Sequence, residues 1–461
     1  LLARGNDADG RASLETFISL SDDEALNEAV RLLLEDSGST ESCVAGDTYS
    51  DQRAARNALR QMDTSAILSD ASAVNERGLA RICLGDWENA IRDFSLALDL
   101  DKRSSSYYNN RAFVYEQLER YEDALVDYTR ALELNDENAV AFNNRGNVRY
   151  TLGDLEAALA DYSRAIELAP EYVLAFRSRG DLYRDLGEWE RAVEDYSIAI
   201  QLDPVSSART YNERGVIYLD ELGEPELALR DFTTALDILP DTPVYYFNRA
   251  LALNRLGDPE AAIVELDAAI EIAPDYELAL DWRGYLYWQT GNLALCVADY
   301  TLLITLYSDN DDYYNGRGLC YLDLDRYDRA LEDFSRAITL NGERRAYWFN
   351  RGETQRLAGN DLLAIRDYNR AIELFDGDAA YFTGRGLSYY NLEVYDQAIE
   401  NYNQGLAINP DYAVLYLNRG YAYYNMSMDA EAIADFEEYL ERVPNTPRRA
   451  ELEGLIAEMG G

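Results

Sequence analysis

The chain has 461 residues, with 85 Asp or Glu against 42 Lys or Arg, a formal charge of −43 at neutral pH. A surface this acidic repels phosphate backbones and anionic headgroups, so nucleic acid and membrane surfaces are poor partners. There is no His, which removes the commonest general base and metal ligand and with them triad hydrolases, His-ligated zinc sites and His-based pH switches.

Of the bases, only Lys102 is a lysine, and no GxxxxGK[ST] pattern surrounds it. No catalytic residue, metal site or cofactor is expected. Apolar residues make up 48% of the chain, but no uninterrupted apolar run approaches the ~18 residues of a membrane span.

The chain opens on Leu1 rather than Met, as either a processed leader or a truncated chain would leave it, so the compartment stays open, with an extracytoplasmic or extracellular location favoured over the cytoplasm. Residues 1–70 read as an N-terminal helical extension. Within it, 22–36 is an amphipathic helix with an acidic start, 50–62 is a second, and a Ser/Gly/Thr-rich loop joins them. This extension is expected to cover the open face of the first repeat, the alternative being that it reaches a neighbouring molecule.

From residue 71 to 446 the chain repeats itself eleven times. A small residue preceded by Arg recurs at Gly78, Ala112, Gly146, Gly180, Gly215, Ala250, Gly284, Gly318, Gly352, Gly386 and Gly420, at spacings of 34 or 35. A second small residue follows in each unit, from Ala90 to Ala432, with Cys296 in the seventh. Four residues further on stands a large side chain, aromatic in all but the sixth unit, where it is Leu266. The period predicts two short amphipathic helices per unit. In 173–204, Phe176, Gly180 and Tyr183 share one helical face, and Ala192, Tyr196 and Ala199 share another. Gly187 closes the first helix and Pro204 stops the second. One such hairpin cannot bury both its faces, so the units must stack around a continuous core. Residues 447–461 then read as a capping helix with Leu452, Leu455, Ile456 and Met459 on one face.

At these residues the chain resembles the tetratricopeptide repeat family, across roughly 71–446. The resemblance implies an all-α fold, a right-handed superhelical solenoid of helical hairpins whose first helices line a concave groove. It implies a non-enzymatic scaffold that holds protein or peptide segments. Some members bind acidic tails with carboxylate clamps.

The chain departs from the family pattern in placing Arg directly before every small marker, where the family residue is apolar. An acid lies sixteen residues on, or seventeen in the fifth unit, giving Arg145 with Asp161, Arg179 with Asp195, Arg283 with Asp299, Arg317 with Asp333 and Arg351 with Asp367. Only the tenth unit departs, with Asn401. The spacing predicts a ladder of ion pairs between the two helices of each unit. The alternative, a row of Arg turned to the groove for acidic ligands, is disfavoured by the matched acid beside nearly every Arg.

Groove candidates on the first helices are an amide stripe, Asn75, Asn109, Asn143, Asn212 and Asn315, and an aromatic set, Tyr150, Tyr285, Trp288, Tyr390, Tyr421 and Tyr424. Amides bond peptide backbones and aromatics stack on side chains, which suits an extended ligand. The bland reading is that a chain with 37 Tyr covers a solvated face with some of them.

The four cysteines form two candidate disulfides, Cys43 with Cys83 and Cys296 with Cys320. Bridges would imply an oxidising compartment; buried thiols are the alternative. Acidic turns at 6–10 and 308–312 lack the full ligand spacing of a calcium loop. The rival to the scaffold reading is a self-assembling extracellular fibre subunit, a homo-oligomer or head-to-tail polymer joined through its ends or N-terminal extension. An enzyme working through paired carboxylates has no sequence feature that selects a pair among 85 acids.

Overall fold

The computed structural model describes Ala55, Leu59 and residues 67–460. The helix expected over 22–36, the acidic turn at 6–10 and Cys43 therefore lie outside the described residues. Of the helix expected over 50–62, Ala55 and Leu59 are described, both helical, with Ala55 buried.

Among the described residues there are 23 α-helices, one short 3-10 turn at Ile67–Ser69 and no strand. They fall into two compact units, residues 1–256 and 257–461. The boundary lies between the two helices of the sixth repeat. The first unit holds α1 (Ala71–Cys83), α2 (Trp87–Leu100), α3 (Ser105–Gln117), α4 (Tyr121–Leu134), α5 (Ala139–Thr151) and α6 (Leu155–Leu168). It continues with α7 (Val173–Asp185), α8 (Trp189–Leu202), α9 (Ala208–Asp220), α10 (Pro225–Ile238) and α11 (Pro243–Arg255). The second unit holds α12 (Pro259–Ile272), α13 (Glu277–Gln289), α14 (Leu293–Leu306), α15 (Asp311–Asp323), α16 (Tyr327–Leu340) and α17 (Arg345–Leu357). It ends with α18 (Asp361–Leu374), α19 (Ala379–Asn391), α20 (Tyr395–Ile408), α21 (Ala413–Asn425), α22 (Asp429–Arg442) and α23 (Arg449–Gly460).

Odd-numbered helices up to α21 are the first helices of the repeats and even-numbered ones up to α22 the second. Within each unit every helix packs on the next in sequence, so both units are stacks of antiparallel hairpins. The reason lies in residue size. The Ala or Cys of each second helix, Ala90 through Ala432, is fully buried in all eleven repeats, and so is the large residue four positions on. A Cβ added at Gly180 would stand 2.7 Å from Cε1 of Tyr196, and one at Gly78 2.6 Å from Cε1 of Phe94. The marker is small because the aromatic ring of its own second helix lies flat against that backbone.

The turn between the helices of a repeat closes through a left-handed residue, Gly187 at φ 73° being one. Its N–H reaches the Arg184 carbonyl at 3.0 Å while the Glu188 N–H reaches that of Tyr183 at 2.8 Å, so the last carbonyls of α7 are satisfied. At the C-terminus Leu452 of α23 is buried, with Leu455, Ile456 and Met459 packed on the cluster around Phe436 and Leu440.

Candidate protein-binding face

The arginine before each marker anchors the stack. Arg145 donates Nε and Nη2 to the two carboxylate oxygens of Asp161 at 2.9 and 2.7 Å. The same fork joins Arg179 to Asp195, Arg283 to Asp299, Arg317 to Asp333 and Arg351 to Asp367, at 2.6 to 2.8 Å. The third nitrogen reaches backwards. Nη1 of Arg111 donates to Ser95 at 3.0 Å, that of Arg214 to Ser197 at 2.8 Å and that of Arg351 to Ser335 at 3.1 Å. Each such Arg thus ties its own first helix to its own second helix and to the second helix of the repeat before. Only the planar five-donor fork of Arg serves three elements at once.

The carboxylates are buried, Asp161 to 3% exposure and Asp195 to 2%. Burial raises the pKa of Asp195 against the lowering by Arg179, while the same hydrogen bond raises that of Arg179. The pair is ionised, since both carboxylate oxygens accept from a guanidinium that holds its charge at any ordinary pH.

On the other side of the first helices a second set of contacts links successive repeats. Asn110 donates to Asn75 at 3.0 Å, Asn248 to Asn212 at 2.7 Å and Asn350 to Asn315 at 2.9 Å. Tyr150 donates its hydroxyl to Asp185, Trp288 its indole N–H to Asp323 at 2.7 Å, and Asn425 its amide to the Tyr390 oxygen at 2.8 Å. Buried tyrosines of the second helices send their hydroxyls up to this face: Tyr128 to Glu116 at 2.8 Å, Tyr162 to Asn147 at 2.9 Å and Tyr196 to Asp181 at 2.6 Å.

The expected binding residues divide accordingly. Tyr285 is exposed at 41%, and Tyr150, Trp288, Tyr390, Tyr421 and Tyr424 are half-buried. Tyr421 is further engaged by Glu451 of the terminal helix at 2.7 Å. Asn109 and Asn143 differ from the expectation of a presented amide: both are buried, with Oδ1 atoms that find no hydrogen-bond partner. Cys296 and Cys320 are joined in a disulfide with Cα atoms 6.2 Å apart. Cys83 is also disulfide-bonded. The acids of 308–312 are engaged by the protein, Asp311 accepting from Tyr347 at 2.7 Å and Asn341 at 3.1 Å, and Asp312 from Arg344 at 3.0 Å.

Models of the family described as "TPR repeat" match residues 180–220 and 386–427, and models described as "Tetratricopeptide repeat" match 105–138, 139–172, 214–277, 312–343 and 415–446. The chain belongs to the tetratricopeptide repeat family. No curated protein matches it. Similar solved structures include the APC/C hetero-tetramer Cut9–Hcn1, 16% identical over 96% of this chain and 97% of that one with a TM-score of 0.46. Another is a tetratricopeptide repeat protein from Parabacteroides merdae, 21% identical over 55% of this chain and 99% of that one, TM-score 0.41. A third is YrrB, described as a TPR protein with an unusual peptide-binding site, 26% identical over 41% of this chain and 95% of that one, TM-score 0.36. Tandem tetratricopeptide repeats are protein-interaction scaffolds, typically non-enzymatic, and in that general sense this chain is one. No helix among the described residues is long and apolar enough to cross a membrane.

One residue of this face escaped the sequence reading. Arg177 stands in the fourth repeat where Asn75, Asn109, Asn143 and Asn212 stand in theirs. It is half-buried on α7 and makes no hydrogen bond or ion pair with any described residue. Burial lowers its pKa, and the neighbouring Arg209 lowers it further. Around it Arg184 is neutralised by Glu213 at 2.6 Å, and Arg209 reaches Asp181 at 3.4 Å. The signal was present: a charge among the four amides of the first five repeats.

Proposed function

We propose that the first-helix face of this tetratricopeptide repeat chain binds an extended segment of another protein, without catalysis, and that the segment brings a carboxylate to Arg177. The observation that carries this reading is the guanidinium of Arg177, which has no hydrogen bond or ion pair among the described residues, so that Asp181, Tyr196 and Asp203 offset its desolvation cost only in part. An arriving carboxylate would meet it in the bidentate geometry that Arg favours. Half-buried aromatics such as Tyr150 on the same face supply stacking area beside it.

The disulfide between Cys296 and Cys320 supports placing this chain in an oxidising, extracytoplasmic compartment. The test is fluorescence anisotropy against an array of extended peptides, with the best binder retitrated on Arg177→Gln. Affinity should fall at least ~10-fold, about 1.4 kcal/mol. Equal affinity for both proteins, or an array whose binders carry no acidic residue, would remove Arg177 from the site.

A further inference from the structure

The second helix of the seventh repeat, α14, differs from all its equivalents. Seven of its positions are exposed, 294, 295, 298, 301, 302, 305 and 306, and none of them is charged. At the same seven positions every other second helix in the chain carries at least two charged residues, the fewest being Asp396 and Glu400 in the tenth repeat. The only ionisable acid or base on α14 is Asp299, which is buried against Arg283. Leu295, Leu302 and Leu306 are 50%, 40% and 44% exposed. The hydroxyl of Thr305 is turned back onto the Thr301 carbonyl at 2.8 Å, so it adds no free polar group. At the margin Arg317 donates to Thr301 at 3.2 Å but is itself neutralised by Asp333.

We propose that this stripe is a homodimer contact, in which α14 of one copy packs antiparallel on α14 of a second copy. Charge chooses the occupant. Two molecules of −43 each repel one another wherever acidic surfaces meet, and this stripe lets two copies touch without apposing carboxylates. Its sequence is self-complementary under a two-fold axis between Ala298 and Leu302. Ala294 then faces Leu306 of the other copy, and the small Ala298 receives Leu302, an isologous knob-into-hole arrangement. The helix has 14 residues, about 21 Å at ~1.5 Å per residue. One helix face of that length covers well under the ~800 Å² per partner of a standard interface. The dimer is therefore weak and reversible, and because nothing in it is an ion pair, salt strengthens it by screening the repulsion between copies.

The test is sedimentation velocity of the full chain from ~1 to ~500 µM at low salt and at ~0.5 M salt. The 52.3 kDa monomer should pass into a species of twice that mass, at lower concentration in high salt. Leu302→Glu should abolish the dimer. The neutral Leu302→Ser should weaken it at least ~5-fold, since both lose apolar area at an exposed position while the helical melting profile is kept. A monomer throughout, or a dimer indifferent to both substitutions, overturns the proposal. So does a monomer that sediments with phosphatidylcholine vesicles through Leu302, which would give the stripe to a lipid surface instead.

Discussion

Arg385 donates Nε to Oδ1 of Asn401 at 2.6 Å, and its two terminal nitrogens go to Asn369 at 2.7 Å and Gln404 at 3.2 Å. The tenth repeat thus holds its guanidinium with three neutral amides where nine other repeats among the described residues supply an Asp. Burial lowers the pKa of Arg385, with no carboxylate hydrogen-bonded to it and only the charges of Tyr389 and Glu400 acting against the shift, whereas Arg351 in the repeat before has Asp367 at 2.7 Å. Replacing Asn401 with Asp converts a neutral acceptor into a charged one and gives up the 2.8 Å bond that the amide donates to the Gln397 carbonyl. The expected gain is about 1 kcal/mol, the difference between neutral and charge-assisted hydrogen bonds. Because long repeat arrays do not unfold in one step, the readout is amide hydrogen exchange of α19 and α20, which should slow by about fivefold.

Asp161 is the converse case. It accepts from Arg145 through both oxygens and from Arg149 at 2.7 Å, so one carboxylate compensates two guanidinia. Asp161→Ala leaves both without a counter-charge and should cost about 3 kcal/mol in local stability of α5 and α6. Asp161→Asn should cost only about 1 kcal/mol, because an amide oxygen keeps the Nε bond, as Asn401 does for Arg385 in the tenth repeat. Urea titration with hydrogen exchange at low denaturant separates the two. A loss below 1 kcal/mol for the alanine variant would mean that water reaches the pair and takes over its hydrogen bonds.

The helical hairpins, their lengths and the buried small and aromatic columns were legible because they depend on period alone: Gly180 and Tyr196 recur with their partners every 34 or 35 residues. The contact between Arg145 and Asp161 was also open to sequence reading, since a fixed separation of sixteen residues spans one hairpin. What was not legible was depth. Asn109 and Asn143 share a helical face with half-buried Tyr150, and a wheel cannot tell that the amides are buried where the ring is not. Nor could the wheel show the bond that Nη1 makes, because the residue it reaches belongs to the previous repeat and varies among Ser, Thr, Asp and Asn. Arg177 was missed for a simpler reason: a search for a recurring residue passes over the place where the recurrence breaks.

Glu116 supplies a pH dependence. It is half-buried on α3, accepting the Tyr128 hydroxyl, and burial pushes its pKa up to about 7 although that hydrogen bond acts in the opposite direction. A carboxyl whose folded pKa lies above its unfolded value stabilises the fold fully below about pH 4, and that contribution is lost as pH rises through about 7. Stability around α3 and α4 should therefore fall between roughly pH 4.5 and 7.5, by about 2 kcal/mol. Glu116→Gln keeps an acceptor for Tyr128 and carries no charge. It should flatten that part of the profile and be the more stable protein at pH 8. Parallel profiles for the two proteins would show that Glu116 is hydrated in the folded state.

Four turns place a residue other than glycine in the left-handed region, Glu119, Asp325, Glu393 and Ser427 at φ 56 to 61°, where seven turns have glycine. The backbone bond is the same in both kinds: the Ser427 N–H reaches the Tyr424 carbonyl at 3.0 Å, as Gly153 reaches Tyr150 at 3.0 Å. Only the side chain differs, and a Cβ costs roughly 1 kcal/mol in this conformation. Gly153→Ala isolates that term, since an added Cβ meets nothing within 4 Å; a loss of about 1 kcal/mol is expected. In the other direction Glu393→Gly and Ser427→Gly should each stabilise by about 0.5 kcal/mol, the larger unfolded-state entropy of glycine offsetting part of the relief. Asp325→Gly should gain less, because the Asp325 carboxylate accepts the Tyr327 hydroxyl at 2.9 Å and that bond is lost. Thermal melts of the three single variants should rank Asp325→Gly lowest, and a ranking with Ser427→Gly below wild type would show that its turn is held by contacts of the serine side chain rather than by backbone conformation.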